Sequence, residues 1–365
     1  MATERRIQLG EVIRFGNGKA IKPGGGGMYP VYGSNGIIGG SDEFRYENGV
    51  IIGRVGAYCG SVVYCPGRFW ASDNTLVAFP ASDEVDTRFL FFLLTNAKLS
   101  QYAGGAAQPL VTQSVLKQVK VAIPTLATQR RVAGILSAYD ELVENGQRRI
   151  RVLEKMARTL YREWFVGGNV PSSGSGRNFR KSTFGELCDL AKESFSEQRH
   201  VSRPLLDLSR MPQRSIAPGY TGASNELTTS RILFEPGDTL FGAIRCYLHK
   251  VVAVHFSGVT NTSVLVLRPK LASFRSLVSI IASDSETIRW AETHSSGTKM
   301  PVINWGVFQT MPAPLPSEPV AKSFEEIAGP MLDEIGVLAD QVQNLRRTRD
   351  LLLPRLLSGQ IEVAA

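Results

Sequence analysis

The sequence predicts an α+β protein in which two similar globular domains are joined by two long helices. Three observations lead to this prediction. The second half of the chain repeats the first, each half begins with short β-branched segments separated by turn residues, and each half ends in a long stretch with helical apolar periodicity. Each domain should be a mixed α/β structure with a twisted sheet. The helices should form an antiparallel coiled coil, with the halves related by a pseudo-two-fold axis.

The internal repeat is clearest in the later part of each half. A constant offset of 192 residues relates residues 104–167 to residues 296–359 without a gap, so that Gly105 aligns with Gly297 and Pro109 with Pro301. Two copies of this length are too few and too long for a solenoid, so two globular domains are expected. Such pseudo-symmetry suits duplex DNA as a ligand. Upstream the offset drifts, and the aligned pairs there are Gly53 with Gly242, Tyr58 with Tyr247, and Asn74-Thr75 with Asn261-Thr262.

The first domain is assigned to residues 1–126. Its residues 49–52, 60–64 and 75–79 are short, β-branched or aromatic, and bounded by Gly, Pro, Asn or Asp, which is typical of strands. Clustered leucines and phenylalanines predict a helix from Thr87 to Tyr102. The run Gly24 to Gly27 is interpreted as a flexible recognition loop, because Met28 follows it and not the Gly-Lys-Ser/Thr of a phosphate-binding loop.

Residues 127–166 form the first spacer helix in this prediction. Residues 128–165 contain no proline, and a helix of that length would span roughly 57 Å, which usually requires a partner along its length. Residues 319–358 supply a second helix with a similar apolar stripe. Two unrelated surface helices are the alternative.

The remaining segments follow in order. Residues 167–181 are rich in Gly and Ser and are predicted to be a flexible linker. Residues 182–318 form the second domain, with strands expected at 239–241, 251–254 and 263–267. Residues 359–365 form a C-terminal tail.

Composition favours an anionic partner. The chain of 365 residues is 43% apolar, with a formal charge of +8 and a pI near 9.4. The four cysteines lack a C-x-x-C spacing and are expected to be buried thiols in a reducing compartment. No secretory leader and no membrane span are expected, so a cytoplasmic location is predicted.

The motifs of several enzyme classes are missing from the sequence. The four histidines, His200, His249, His255 and His294, show neither an H-E-x-x-H pattern nor His/Cys metal spacing. There is no string resembling Asn-Pro-Pro-Tyr for adenine methylation, and no evident carboxylate cluster for metal-dependent cleavage. No catalytic, cofactor or metal site is therefore predicted.

Several strings resemble the specificity subunits of type I restriction-modification systems. They include Tyr29-Pro30-Val31-Tyr32-Gly33 with Ser34-Asn35-Gly36, and Gly39-Gly40. The helical strings are Gln129 to Ser137, Leu153 to Ala157, Leu160 to Val166, and Leu352 to Gly359. Together they cover essentially the whole chain.

The resemblance implies a non-catalytic subunit that reads double-stranded DNA. Each domain would read one half of a split target, and the paired helices would dock two methylation subunits, which would hold S-adenosylmethionine. Restriction subunits can join such complexes. The second half has Ser215 to Gly219 near the place of the Tyr-Pro-Val-Tyr-Gly string, so it should read a different sequence. Two alternatives remain, a protein-binding scaffold and a single-chain DNA methyltransferase or nuclease.

Base reading needs side chains that present paired donors and acceptors, namely Arg or Lys for guanine and Asn or Gln for adenine. Such side chains at loop positions are the DNA-binding candidates. In the first domain these are Lys19, Lys22, Tyr32, Ser34, Asn35, Arg54, Tyr58, Gln108, Thr112 and Gln113. In the second they are Arg210, Arg214, Arg245, Tyr247, His249, Lys250, Lys299 and Asn304.

Overall fold

The computed structural model describes residues 6–105, 108–171, 179–196, 203–226 and 230–363. The chain folds into two compact units. Unit 1 comprises Met1–Glu141 and Arg346–Ala365, and unit 2 comprises Leu142–Leu345. Two sequence predictions concern residues outside these ranges. They are the central part of the linker, residues 172–178, and His200, which was predicted not to bind a metal.

Unit 1 is built on a six-stranded sheet. Its elements are β1 (Arg6–Gln8), α1 (Leu9–Val12), β2 (Ile13–Asn17), β3 (Tyr29–Gly33), β4 (Gly36–Ser41), β5 (Tyr46–Gly53), β6 (Val62–Ala71), β7 (Thr75–Pro80), α2 (Thr87–Asn96), α3 (Gln113–Lys117), β8 (Lys120–Ala122) and the first part of α4 (Leu126–Tyr161). The strand order is β2-β7-β5-β6-β3-β4, and β1 pairs separately with β8. Only the β3–β6 pairing of the large sheet is parallel.

The centre of this sheet is a buried apolar strand. Val50, Ile51 and Ile52 of β5 are all buried, because β5 lies between β6 and β7 and is covered on both faces. Helix α2 covers one face with Phe89, Leu90 and other apolar side chains. Burial of each such side chain contributes about 1.5–3 kcal/mol.

Helix α2 is shorter than predicted. It begins at Thr87, where the Asp86 carboxylate accepts a hydrogen bond from the Phe89 amide at 2.8 Å, and it ends at Asn96. The predicted extension to Tyr102 is wrong, because Lys98 adopts a left-handed backbone (φ 47°) and residues Leu99–Tyr102 form a separate 3-10 turn.

Unit 2 contains two four-stranded sheets and a strand pair. After the rest of α4 comes a π-helical turn, Arg162–Val166. The elements that follow are β9 (Phe179–Thr183), β10 (Cys188–Leu190), β11 (Pro204–Leu205), β12 (Gly222–Ala223), β13 (Arg231–Phe234), β14 (Thr239–Gly242), β15 (Val251–Ala253), β16 (Gly258–Asn261), β17 (Val264–Pro269), α5 (Arg275–Ala282), α6 (Ser285–Thr293), α7 (Trp305–Phe308), β18 (Pro312–Pro316) and α8 (Glu318–Leu357), whose last part belongs to unit 1. The sheet orders are β10-β17-β14-β15 and β12-β11-β16-β13, and β9 pairs with β18.

The two long helices pack in antiparallel fashion within each unit, as predicted. In unit 1, Val132 and Leu136 of α4 share a core with Leu356 and Leu357 of α8. In unit 2, the π-helical turn after α4 places Trp164 5.6 Å from Phe324, between ring centroids. The start of one helix therefore meets the end of the other, and the α+β prediction with paired helices is confirmed.

An arginine at the start of a domain helix braces each domain against a long helix. In unit 1, Arg88 of α2 donates from Nε to Ser137 Oγ at 2.8 Å and lies 3.6 Å from Asp140. In unit 2, Arg275 of α5 contacts Glu325 at 2.8 Å and Asp333 at 2.7 Å. Both arginines are half-buried, so these pairs are screened less than fully exposed ones.

Candidate nucleic-acid interface

In unit 1, four loops are joined by hydrogen bonds into what we call the first loop cluster: residues 33–36, 53–61, 72–75 and the hairpin closed by the Gly104–Leu110 pair. The Arg54 amide donates to Asn74 O at 2.9 Å, and the Val111 amide donates to Arg54 O at 3.0 Å. Ser34 Oγ also donates to Asn74 O, at 2.7 Å. The backbone at Arg54, directly after the buried end of β5, is thus fixed from two sides.

The first loop cluster presents several of the predicted reading side chains to solvent. Tyr58 is 59% exposed, and Asn35 and Gln108 are exposed. Arg54 is half-buried, and its Nε has no hydrogen-bond partner among the described residues. This Nε is itself buried, so it is not accessible to a ligand.

Two lysines lie on the segment that connects β2 to β3. Lys19 is exposed while its backbone is held: the Lys19 amide donates to Ala71 O at 2.9 Å, and Trp70 Nε1 donates to Lys19 O at 2.8 Å. Trp70 therefore supports the segment from the core. Lys22 is exposed beside the glycine run, in which Gly24 exchanges two backbone hydrogen bonds with Gly40. One end of the predicted flexible loop is thus tied to β4.

Three candidates of the first domain have structural roles. The side chain of Tyr32 is buried, and burial, followed by the neighbouring Cys65 thiol, raises its pKa. Thr112 caps α3 by accepting from the Val115 amide at 3.4 Å, and Gln113 Nε2 donates to Asn17 Oδ1 at 2.8 Å. Because Tyr32 is buried among core side chains, its predicted role in base reading does not fit the structure.

The second loop cluster, in unit 2, is formed by residues 207–220, 242–250, 261–264 and the hairpin closed by the Ser296–Val302 pair. Its backbone hydrogen bonds repeat those of the first cluster. Gly53 N to Ser61 O and Gly242 N to Lys250 O are both 2.9 Å. The Gly56 amide donates to Pro109 O at 3.1 Å, and the Arg245 amide donates to Pro301 O at 2.8 Å.

This equivalence confirms two sequence matches and corrects a third. Gly53 corresponds to Gly242 and Tyr58 to Tyr247, as predicted. The residue that answers Asn74, however, is Ser263, whose carbonyl accepts from the Ala243 amide at 3.0 Å just as Asn74 O accepts from Arg54. Asn261 lies two residues earlier and its side chain accepts from the Ser263 amide at 3.1 Å, which is the turn-forming role expected of it.

The second loop cluster presents a different set of side chains. Tyr247 is 47% exposed, and Arg214, Arg245 and Lys299 are exposed. The Arg214 amide donates to His249 O at 2.8 Å, which joins the loop 207–220 to the loop 242–250. Cationic side chains thus dominate this surface, which suits an anionic ligand.

Both long helices hold the loop that follows Arg214. The buried carboxylate of Glu154, on α4, accepts from Ser215 Oγ at 2.6 Å and from the Ile216 amide at 2.8 Å. Gln343, on α8, donates from Nε2 to Gly219 O at 2.7 Å. Residues 215–219 are therefore positioned by the helix pair of unit 2. They are not the structural equivalent of the Tyr-Pro-Val-Tyr-Gly string, because Leu205 of β11 pairs in parallel with Val259 as Val31 of β3 does with Trp70.

Four candidates of the second domain are engaged within the protein. His249 is buried, its Nε2 lies 2.8 Å from Ser283 O, and its predicted role in base reading does not fit. Lys250 Nζ donates to Leu208 O at 2.6 Å, and Arg210 pairs with Asp207 at 2.9 Å and with Glu226. Asn304 caps α7 by accepting from the Val307 amide at 3.0 Å. Asn304 is the repeat equivalent of Thr112, and each residue stabilises the start of the corresponding short helix in its domain.

Burial and nearby charges together favour the neutral form of His249. Burial lowers its pKa most, the Arg158 and Arg214 charges lower it further, and the hydrogen bond to Ser283 O opposes them. The imidazole is therefore neutral at neutral pH.

A basic and aromatic patch on unit 1 was missed by the sequence prediction. Arg68 lies over the Phe44 ring at 4.6 Å, Arg45 over Tyr46 at 5.7 Å, and Arg14 over Phe79 at 6.0 Å. The signal was present, because the strings Phe44-Arg45-Tyr46 and Arg14-Phe15 place a basic residue next to aromatic ones. Cation–π contacts of this kind hold guanidinium groups in place at a surface.

In the part of the chain that the structure describes, no group of His, Cys, Asp and Glu side chains has the proximity that a metal ion requires. All four cysteines are buried and unpaired with one another. Among the described helices, none combines the length and the apolar character needed to cross a membrane.

Comparison with known proteins finds similarity to one family. Residues 5–155 match the type I restriction modification DNA specificity domain. The chain is 20% identical to the MjaIX specificity subunit of Methanocaldococcus jannaschii over 77% of this chain and 70% of that protein. It is 22% identical to the EcoDI specificity subunit of Escherichia coli over 86% of this chain and 78% of that protein. Its fold matches the crystal structure of the type I restriction-modification S subunit from M. genitalium with a TM-score of 0.67 and 14% identity, covering 100% of this chain and 98% of that one. The chain, with its two sheet-containing domains and paired long helices, is therefore similar over most of its length to the specificity subunits of type I restriction-modification systems.

Proposed function

We propose that this subunit reads a bipartite duplex DNA target, with one loop cluster addressing each half-site. The observation that carries this proposal is that the two clusters share a backbone hydrogen-bond frame and differ in the side chains that they present. A shared frame with different reading groups suits two unlike half-sites. The domains would be residues 1–126 and 182–318, with 127–166 and 319–358 as spacers, 167–181 as a linker and 359–365 as a tail.

The exposed members of each cluster supply the base-reading chemistry. In the first, Asn35 and Gln108 offer the paired donor and acceptor that adenine requires, and Arg54 offers a fork for guanine. In the second, Arg214 and Arg245 serve guanine or phosphate. Lys19, Lys22 and Lys299, with the patch of Arg14, Arg45 and Arg68, would contact phosphates, which fix the register of a protein on the duplex.

The exposed face of α4 in unit 2 suits the docking of a methylation subunit. Leu142, Val152 and Met156 are about half exposed, although such apolar side chains are usually buried. Arg148, Arg151 and Lys155 are exposed on the same helix. An amphipathic, acidic segment of a partner would cover the apolar groups and neutralise the basic ones.

In the assembled complex, two methylation subunits would supply S-adenosylmethionine and the methyl transfer, and restriction subunits could join. This chain would supply sequence selection alone. The isolated chain should therefore transfer no methyl groups and cut no DNA. With its cognate methylation subunit, methylated adenines should appear at one bipartite sequence.

The test is to select duplexes from a randomised pool with the full-length chain, alone and with its methylation subunit, and to map methylated adenines in host DNA with and without the gene. We expect one split sequence in both experiments, with binding that weakens as salt rises. Binding to a partner protein with no duplex selected would favour a scaffold. Methyl transfer by the purified chain alone would favour a single-chain enzyme.

Arg54→Ala tests the assignment of half-sites to domains. It should weaken recognition of one half-site by about 1–3 kcal/mol if the contact is bidentate to guanine, and leave the other unchanged. Gln108→Ala is the matched comparison on the same cluster, with an effect expected at a different base. An equal loss on every duplex would assign Arg54 to phosphate, and no loss would remove it from the interface.

A further inference from the structure

The second loop cluster contains an unusual concentration of left-handed backbone. Among the described residues, five that are not glycine have positive φ, and three of them, Arg214 (59°), Arg245 (53°) and His249 (52°), lie in this cluster. A side chain with a Cβ is disfavoured in this region of φ and ψ, so each of these residues costs folding free energy. Such outliers persist where the surroundings enforce them, and they concentrate at functional sites.

The first loop cluster shows which residue this geometry favours. Gly56 (φ 76°) and Gly60 (φ 83°) occupy the positions of Arg245 and His249 in the repeated hydrogen-bond frame. Glycine adopts this conformation without strain. At these two positions unit 2 thus has the left-handed backbone that glycine adopts in unit 1, although the residues are arginine and histidine.

The two side chains differ in what the fold gains from them. His249 is buried and bonded to Ser283 O, so its side chain contributes to packing. The Arg245 side chain is exposed, and within the described ranges it has no hydrogen bond or ion pair with the rest of the chain. Its strain is therefore not offset by any side-chain hydrogen bond or ion pair that the structure describes.

We infer that Arg245 is a specificity-determining residue that reads a guanine in the second half-site, an inference that rests on the proposed function. The Arg245 amide is fixed to Pro301 O, so the loop holds the backbone from which the exposed side chain extends, two residues before the exposed Tyr247. The arginine fork matches O6 and N7 of guanine, while lysine offers a point charge. Gly56 has no side chain, so the first domain lacks this contact.

The Arg245→Gly variant distinguishes an effect on base recognition from an effect on folding. In selection from a randomised duplex pool with the full-length chain, the variant should lose preference for one guanine by about 5- to 150-fold. The first half-site should be unchanged. Its melting temperature should rise by about 1–3 °C, because glycine removes the backbone strain. A folded variant with unchanged preference would overturn the inference.

Two further variants act as controls. Lys98→Gly removes another exposed cation from a left-handed position, in unit 1. It should also raise the melting temperature, with no change in the selected sequence. Arg245→Lys retains charge and strain but not the fork, and should lose most of the preference while the salt dependence stays the same. Full preference in the lysine variant, or an equal loss on all duplexes in Arg245→Gly, would assign Arg245 to phosphate.

The proposed function and this inference can fail separately. A wild-type chain that selects no duplex, alone or with its methylation subunit, would overturn both. A wild-type chain that selects a split sequence with no guanine dependent on Arg245 would overturn the inference alone.

Discussion

At the residue scale, a buried carboxylate connects a spacer helix to a recognition loop. Glu154 is buried and accepts hydrogen bonds from Ser215 Oγ and the Ile216 amide, and the Ile216 amide is itself buried. Glu154→Ala should lower the free energy of unfolding of unit 2 by roughly 1–3 kcal/mol, because that amide would lose its partner. Denaturant unfolding measures the change.

The chain offers a matched control for this substitution on the same helix. Glu144 pairs with Arg148 at 2.9 Å on an exposed face, so Glu144→Ala should change stability by less than about 0.5 kcal/mol. Glu154→Gln, which retains an acceptor oxygen, should recover most of the loss. Equal effects of Glu154→Ala and Glu144→Ala would mean that the bond to the loop contributes nothing.

The buried histidine gives unit 2 a pH dependence with a definite sign. Burial, with Arg158 and Arg214 nearby, lowers the pKa of His249 in the folded protein. Below the ordinary pKa of about 6.5, the unfolded chain therefore binds more protons than the folded one. Stability from this group is present above that pH and is lost as the pH falls through it.

Thermal unfolding between about pH 8 and pH 5 measures this dependence in the wild type and in His249→Asn. Asparagine tolerates the left-handed backbone and does not titrate. The variant should show a flatter decline of melting temperature on acidification. Identical pH profiles would show that His249 is not the responsible group.

The candidate site could be predicted only in part from the sequence. Loop positions and residue types were enough to propose Arg54, Tyr58, Arg245 and Tyr247, because these properties are local. Burial is not local: Tyr32 and His249 are enclosed by segments distant in sequence. The left-handed backbone of Arg245 could not be predicted from the sequence either, because only the backbone hydrogen bonds show that Arg245 is equivalent to Gly56.

At the element scale, the helix pair depends on an apolar seam. Leu153 packs against the core of unit 2, whereas its neighbour Val152 is 52% exposed. Leu153→Asp should destabilise unit 2 by roughly 2–4 kcal/mol and weaken the docking of methylation subunits, because it places a charge in the apolar seam. Thermal unfolding and co-purification of the partner measure the two effects.

Val152→Asp introduces the same charge one residue away. Its effect on stability should stay within about 0.5 kcal/mol, although docking should still weaken if Val152 lies on the partner surface. A native thermal transition in Leu153→Asp would argue strongly against a buried seam at this position.

Among the elements, the sequence predicted best those whose signal is long or strongly apolar. The spacer helices and the strands around Val50, Val77 and Val266 are of this kind. The sheet of β11, β12, β13 and β16 was not predicted, because its strands are two to four residues long. Their pairing is decided by contacts distant in sequence, such as that of Leu205 with Val259.

At the scale of the whole molecule, the spacer helices should act as a ruler. Helix α8 has 40 residues, which correspond to roughly 60 Å and therefore to an upper bound of about 18 base pairs between half-sites. Half-site centres about 10 base pairs apart would let both domains address one side of the duplex. Helix length would then set the gap, and the domains would set the bases.

Inserting a heptad after Glu144, and another after its repeat counterpart Gly336, keeps the antiparallel register. It should lengthen the gap by roughly 3 base pairs and leave both half-sites unchanged. Methylome sequencing reads both properties at once. An insertion in one helix alone is the control, since it breaks the register and should abolish methylation.

Exchanging residues 182–318 for the second domain of another family member is the converse experiment. One half-site should change while the gap remains. Altered half-sites after the heptad insertions, or an unaltered target after the domain exchange, would contradict the proposal that helix length sets the gap and the domains set the bases.

The left-handed arginine also has a genetic consequence. Every arginine codon lies a single nucleotide from a glycine codon, so mutation continually offers the second domain the relaxed loop that the first domain already has at Gly56. If the second domain had only a structural role, replacement of Arg245 by glycine would not be selected against. Where selection acts on the side chain, an arginine should be kept even though its loss would ease folding, and drift among related chains that read the same second half-site should therefore spare Arg245 more than Lys98.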